Sequence, residues 1–349
     1  MLDKIYDKSL DNNITKEDAL ELIYNTNKFE VFDTADKLRQ TIIGDKVTYV
    51  VNKTIDITDH CMIGCKFCSF RNHENYMMTN EEISRSITDA EEIGVTEICL
   101  FGGITEEMDI DYYCDLIKYI KDNHDICLHA LSPAEVYQAS LNSGIPTSQA
   151  LEQLKDAGMD TMTGASAEIL VDDIRQIICP RKVSTSDWLR IVKEAHGMGI
   201  QTTSTIMYGS VESWEDRIEH LFLLKKLQEE TGGFTEFVPM SFLSKNNEIG
   251  RISNGATGVE DLMMHAISRI IFGQVIPNIQ VSWVKLGFKM TQIALNCGAN
   301  DIGGTMMEDK ISTAAGGGYG GYLPVEKIKQ LIYDIDRIPQ QRTTKYELI

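Results

Sequence analysis

The chain has 349 residues, of which 43% are hydrophobic and 24% are charged, as is usual for a soluble globular protein. Its formal net charge of -19 argues against nucleic acids and anionic membranes as partners, because phosphate binding depends on Lys and Arg. No signal peptide is apparent, and no apolar run reaches the roughly 18 residues that a membrane span requires. We therefore expect a cytoplasmic protein.

Helical patterns begin the chain and a strand pattern follows them. Thr15 and the acidic residues after it are typical of a capped helix start, and a second helix is predicted over 31–44. From Lys46 the pattern alternates, and Val47, Tyr49, Val51 and Ile55 predict a single strand. This strand leads directly into a cysteine-rich segment.

Strand and helix patterns alternate over the rest of the chain. Strands are predicted over 97–102, 127–132, 160–164, 201–208, 235–239 and 279–285, and helices over 80–93, 111–124, 148–157, 185–198, 212–230 and 258–272. Repeated strand-helix units favour an α/β fold with a parallel sheet, here a full or partial TIM-like (β/α) barrel. We expect an N-terminal helical extension over 1–45, a barrel core over 46–287 and a C-terminal extension over 288–349 that closes the barrel. Active sites of such barrels lie at the carboxyl ends of the strands.

Three cysteines at the end of the first predicted strand form a C-x3-C-x2-C pattern: Cys61, Cys65 and Cys68. A 4Fe-4S cluster normally takes four cysteine ligands, so three leave one iron open to another ligand. Structural zinc takes four ligands, typically as two pairs, and the other five cysteines are scattered singly. Three unrelated core thiols are the remaining alternative, because free cysteine is often buried. The spacing favours a cluster with an open iron.

The cysteine segment resembles the radical S-adenosylmethionine (SAM) superfamily. The resemblance implies two cofactors, a 4Fe-4S cluster and SAM bound to its open iron. It also implies that the reduced cluster cleaves SAM to methionine and a 5'-deoxyadenosyl radical, which takes a hydrogen from the substrate. A low-potential electron donor is then required as a partner.

Several residues at other strand ends are candidates for binding SAM. In relatives, a glycine pair such as Gly102-Gly103 meets the amino group of SAM. Tyr208 ends one predicted strand, and Glu168 and Glu212 each follow a glycine at a strand end, where a carboxylate can accept hydrogen bonds from a ribose or an ammonium group. The alternative for each Glu is a helix-start residue that complements the helix dipole.

Three residues are candidates for the substrate side of the site, and we predict catalytic roles for them. Glu236 lies within an otherwise apolar strand, where an unpaired buried charge would be very costly. Asn300 and Asp301 open a late glycine-rich region that is either a lid or an ordinary loop.

A narrower resemblance rests on segments outside the cysteines, chiefly 132–135, 178–182, 232–239, 278–285 and 298–305. These resemble the tyrosine-using subunit of deazaflavin (FO) synthase, a 4-hydroxyphenyl transferase. The resemblance implies L-tyrosine and 5-amino-6-(D-ribitylamino)uracil as substrates and a second radical SAM subunit as a partner. The chain departs from that family at Thr105 and Ser210, where relatives usually have histidine. The alternatives are a futalosine-route radical SAM enzyme, a divergent paralogue, or a non-catalytic iron-sulfur electron carrier, which would need a fourth cysteine ligand.

Overall fold

The computed structural model of the protein describes residues 1–71, 76–307 and 313–349. Its central sheet contains six strands: β2 (Asn52–Asp56), β3 (Glu97–Phe101), β4 (Cys127–Ala130), β5 (Thr161–Met162), β6 (Gln201–Tyr208) and β7 (Phe234–Ser241). They pair in chain order, and every pairing is parallel. Parallel neighbours in chain order, each followed by a helical crossover, produce a partial (β/α) barrel. This confirms the predicted fold class.

Thirteen helices are present in the described part of the chain. They are α1 (Leu2–Leu10), α2 (Lys16–Asn25), α3 (Lys28–Ile43), α4 (Asn80–Glu91), α5 (Ile110–Asn123), α6 (Pro133–Ser143), α7 (Thr147–Ala157), α8 (Asp172–Ile178), α9 (Thr185–Gly197), α10 (Trp214–Thr231), α11 (Gly258–Phe272), α12 (Trp283–Ala294) and α13 (Val325–Tyr333). Several start at a capping box, as at Thr15, Thr79 and Ser213, where two backbone N–H groups at the helix start find acceptors. No helix among the described residues is long and apolar enough to cross a membrane.

A second, smaller sheet joins the two ends of the chain. It contains β1 (Lys46–Val50), β8 (Asp301–Gly304) and β9 (Ile338–Gln341), in the order β8-β1-β9, with both pairings parallel. The single strand predicted from Val47 to Ile55 is therefore wrong, because the chain leaves one sheet after Val50 and enters the other at Asn52. Both strands are mostly buried, so a continuous apolar pattern conceals the break.

The last predicted strand, over 279–285, is also wrong. Only isolated bridges form, between Ile279 and Phe237 and between Gln280 and Asp301, and α12 begins at Trp283. Trp283 is fully buried, and its indole N–H donates to the carbonyl oxygen of Gly304 at 2.9 Å. The glycine-rich segment around Asp301, predicted as a lid or loop, instead supplies the buried strand β8. The period-two pattern marks a buried segment here rather than a full strand.

Candidate active site

One cavity of about 380 Å³ lies inside the barrel and extends along its strands. Side chains alternate along β3, so Glu97, Cys99 and Phe101 all face this cavity, the first at the start of the strand and the last at its end. Cys61, Cys65 and Cys68 line the cavity beyond the strand ends. We call that region the cysteine end. The opposite region, lined by Asn52, Glu97, Glu236, Arg342 and Thr344, is called the floor.

The three cysteines share a loop that follows β2 and is held in place by backbone hydrogen bonds. The N–H of Met62 donates to the carbonyl of Ile104, and that of Lys66 donates to the carbonyl of Ile178, both at 2.8 Å. Gly64 has φ of 65°, a left-handed conformation that glycine adopts without strain.

This loop fits a 4Fe-4S cluster in its chemistry. Its three thiols all face one end of the cavity, and Cys65 is buried while Cys61 and Cys68 are partly exposed. Within residues 1–71, 76–307 and 313–349, no group of three His, Cys, Asp or Glu side chains is arranged to hold a single metal ion. A cluster of four irons separates its thiolates more widely than a single zinc ion does, and three thiolates are what a cluster with one open iron requires.

A segment after α8 supports the cysteine loop from the side. Arg181 donates from Nε to the carbonyl of Ile63 at 3.0 Å. Lys182 is partly buried beside the loop, and its Nζ donates to Glu168 Oε1 at 2.5 Å. Both Lys182 and Glu168 line the cavity. The predicted SAM residue Glu168 is therefore at the cysteine end, where it pairs with a cation that had not been predicted as a site residue.

The glycine pair after β3 also lies at the cysteine end. Gly102 lines the cavity, and its N–H donates to Glu135 Oε1 at 3.0 Å. A Cβ atom on Gly103 would lie 2.0 Å from the carbonyl oxygen of His60. Gly103 thus allows the cysteine loop to approach β3 closely.

Tyr208 and Glu212, also predicted to bind SAM, are not brought to the cavity. The hydroxyl of Tyr208 donates to Asp261 Oδ1 at 2.7 Å, on the side of α11. Glu212 accepts the N–H of Ser210 at 2.9 Å and pairs with Arg217 Nε at 2.8 Å. Its contacts match the alternative of a helix-start residue, since it satisfies backbone groups just before α10.

Of the three predicted catalytic residues, one lines the cavity and two lie behind it. Glu236 lines the floor and accepts from Arg342 Nη2 at 3.2 Å and from the hydroxyl of Tyr346. Asp301 lies behind the floor, where its Oδ2 accepts from Arg342 Nε at 2.6 Å. Asn300 is fully buried and accepts from Arg269 Nη2 at 2.7 Å, so it supports the structure behind the cavity.

Arg342 is the residue that connects these groups. It comes from the segment after β9, more than 40 residues beyond Asp301 in the sequence. No local pattern predicts this contact, because it depends on β9 pairing with β1.

Glu97 could have been identified from the sequence as a candidate site residue, because it is a charged residue at the start of an apolar strand. Neither Thr105 nor Ser210, the positions that depart from the related family, lines the cavity.

Replacing Gly103 with alanine should displace the cysteine loop. The added Cβ would overlap backbone atoms of His60, and overpacking of this kind costs about 1–3 kcal/mol or more. We expect a clear loss of bound iron after anaerobic reconstitution, measured per chain. Gly197→Ala is the matched control, because no atom lies within 4 Å of its added Cβ. Equal iron content in the two variants would contradict this role of Gly103.

Burial raises the pKa of Glu135 to about 7, although hydrogen bonds from Ser132 and Gly102 oppose the shift. Because the folded state raises this pKa, the stability contributed by the protonated carboxyl is present below about pH 4.5 and is lost as the pH rises through 7. Relative to Glu135→Gln, the wild type should therefore lose up to about 3 kcal/mol of unfolding free energy between pH 5 and pH 8. Urea unfolding at both pH values measures this difference. Parallel pH profiles for the two proteins would contradict the assignment.

Comparison with known proteins agrees with this geometry. The family model described as the radical SAM superfamily matches residues 55–224, and the CofH/MqnC C-terminal region matches residues 231–349. Two solved structures share the fold. The FeFe-hydrogenase maturase HydG from Carboxydothermus hydrogenoformans has a TM-score of 0.76 at 16% identity, covering 99% of this chain and 80% of that one. Methylornithine synthase (PylB) has a TM-score of 0.74 at 17% identity, and the match covers 96% of this chain and 97% of that one.

Relatives of known name are similar over nearly the whole chain. The 5-amino-6-(D-ribitylamino)uracil--L-tyrosine 4-hydroxyphenyl transferase of Archaeoglobus fulgidus is 48% identical, covering 93% of this chain and 94% of that protein. The protein of the same name from Methanocaldococcus jannaschii is 47% identical, and the match covers 98% of this chain and 99% of that protein. With the cysteine loop at the carboxyl ends of a parallel barrel, this similarity shows that the chain belongs to the radical SAM superfamily and, within it, to the family of 5-amino-6-(D-ribitylamino)uracil--L-tyrosine 4-hydroxyphenyl transferases.

Proposed function

We propose that this chain transfers the 4-hydroxybenzyl fragment of L-tyrosine to 5-amino-6-(D-ribitylamino)uracil, and that the rest of tyrosine leaves as an iminoacetate. One observation carries the proposal. A single cavity connects the three-cysteine loop to a polar, charged floor inside the barrel. The named relatives, 46–48% identical over nearly their full length, support the choice of substrates.

The cysteine end has groups suited to both cofactors. Cys61, Cys65 and Cys68 would hold the cluster. Gly102, Glu168 and Lys182 line the same region and would bind SAM, since a carboxylate and an ammonium can pair with its amino and carboxylate groups. With both bound, they would supply the hydrogen-abstracting radical chemistry of the superfamily. Tyr208 and Glu212 do not line the cavity, so they would affect SAM binding only indirectly, by holding the backbone after β6 in place.

The protein's own contribution is binding, orientation and exclusion of water. Glu236 and Arg342 are each less than a tenth exposed, so polar groups of a substrate would exchange water for fixed partners. The two positions that depart from the family, Thr105 and Ser210, lie outside the cavity lining. This placement supports retention of the family's substrates rather than a paralogue with another acceptor.

Two partners are part of the proposal: a second radical SAM subunit that uses the adduct, and a low-potential electron donor. We place the chain and these partners in the reducing cytoplasm, since all eight of its cysteines are free.

The experiment is an anaerobic reaction of the reconstituted, reduced protein with SAM and tyrosine, with and without the ribitylaminouracil. We expect tyrosine consumption and a hydroxybenzyl adduct, identified by mass, only when all components are present. Formation of 5'-deoxyadenosine without tyrosine consumption would reject the transferase assignment.

A further inference from the structure

The strand register sorts the lining residues of the cavity by depth. Asn52 pairs with Glu97 at the start of β2 and β3, Thr54 with Cys99 in the middle, and Asp56 with Phe101 at the end next to the cysteine loop. On the other side of the barrel, Met207 of β6 pairs with Met240 of β7 near the strand ends. The cavity therefore has distinct layers along its length.

These layers differ in chemistry. Phe101, Met207 and Met240 give the cysteine end an apolar wall. A middle layer at the level of Cys99 carries Thr54 and His129, and further hydroxyl groups line the cavity wall at Thr163, Thr203 and Thr205. The floor is charged, with Glu97, Glu236 and Arg342 in the cavity lining. Barrel interiors are usually filled with branched apolar side chains, so a polar interior of this kind indicates a polar ligand.

The floor has an excess of negative charge. Arg342 is shared between Asp301, at 2.6 Å, and Glu236, at 3.2 Å. Glu97 is buried as well, and its Oε1 accepts from Asn52 Nδ2 at 3.0 Å. Two carboxyl groups thus pair with one guanidinium, and a third, that of Glu97, lies on the same floor. Such a site repels an anionic ligand and favours a neutral one that is rich in N–H and O–H donors.

The two substrates of the proposed reaction differ in whether they carry an anionic group. Tyrosine carries a carboxylate, whereas the ribitylaminouracil has amino groups, ring N–H groups and a chain of hydroxyls, with no carboxylate. At the cysteine end, the partly buried Lys182 is a cation that the carboxylate of an amino acid or of SAM would seek. The apolar wall there also suits an aromatic ring.

We propose that the floor binds the ribitylaminouracil, with Glu97 and Glu236 as acceptors for its N–H and O–H groups, and that tyrosine lies between it and the cysteine loop. This inference depends on the proposed function and adds the order of the substrates along the barrel. Thr54, His129 and the other lining threonines offer hydroxyl and imidazole partners to a ribityl chain that extends from the floor. Glu97 then determines specificity for the acceptor.

The test is a calorimetric titration of each substrate into the cluster-loaded, SAM-bound protein without a reductant, so that no turnover occurs. Glu97→Gln keeps an acceptor for Asn52 but loses the charge. A hydrogen bond to a charged group is worth at least about a ten-fold change in affinity. We therefore expect the Kd for the ribitylaminouracil to rise about ten-fold or more, with the Kd for tyrosine unchanged. Thr344→Val, a smaller change on the same floor, should weaken binding of the same ligand only.

Glu91→Gln, a substitution on α4 beside His124, is the control and should change neither affinity. A weaker affinity for tyrosine alone, or an equal loss for both ligands, in either floor variant would overturn the assignment. Failure of the proposed function has a different signature, because the wild type itself would then bind no ribitylaminouracil and form no adduct.

Discussion

The Cys65→Ala variant is expected to lose SAM cleavage completely while keeping its fold. Cys65 is 7% exposed and lies in the cavity wall with Cys61 and Cys68. Three thiolates are the minimum that anchors a cluster with one open iron, so removing one removes the anchor. The measurements are iron per chain after anaerobic reconstitution, expected at about four for the wild type, and 5'-deoxyadenosine formed after reduction.

A matched control is Cys114→Ala. Cys114 is equally buried, at 6% exposed, but lies on α5 outside the cavity lining. Iron content and SAM cleavage should be unchanged in this variant. If Cys65→Ala still formed 5'-deoxyadenosine, or if the wild type bound only zinc, the cluster assignment would be contradicted.

Replacing Arg342 with methionine is expected to destabilise the protein by about 3–5 kcal/mol, because it leaves Asp301 and Glu236 buried without their cation. Binding of the ribitylaminouracil should be weakened with it, because Glu236 loses the guanidinium that holds it in place on the floor. Urea unfolding measures the stability, and titration of the folded variant measures binding.

Arg337→Met provides the comparison within the same C-terminal segment. Arg337 pairs with Asp36 and Asp45 near the surface, where Asp45 is 50% exposed. Ion pairs of this kind contribute about 1 kcal/mol or less. Similar destabilisation by the two substitutions would contradict the stabilising role assigned to the buried ion pairs of Arg342.

Features with a local physical cause could be predicted from the sequence. The cysteine spacing predicted a cluster loop, and the alternation of strand and helix patterns predicted the parallel barrel that carries it. Glu236 was identified because a carboxylate in an apolar strand requires a partner or a cavity. The structure provides both.

Features that depend on distant pairing could not be predicted in this way. The break between β1 and β2 leaves no mark in a segment that is buried on both sides, and Arg342 reaches the floor only because β9 pairs with β1. Tyr208 and Glu212 lie at a strand end as predicted, but their side chains turn toward α11 and the start of α10. A position at a strand end therefore does not settle which way a side chain faces.

The most direct test of hydroxybenzyl transfer uses tyrosine labelled with carbon-13, either in the ring and the benzylic carbon or at the α-carbon. The reduced protein with SAM and the ribitylaminouracil is given each labelled tyrosine in turn, and the mass of the adduct is recorded. We expect the ring and benzylic label to enter the adduct and the α-carbon label to leave with the small fragment. An adduct that retains the α-carbon label, or unlabelled product from both tyrosines, would contradict transfer of the 4-hydroxybenzyl group.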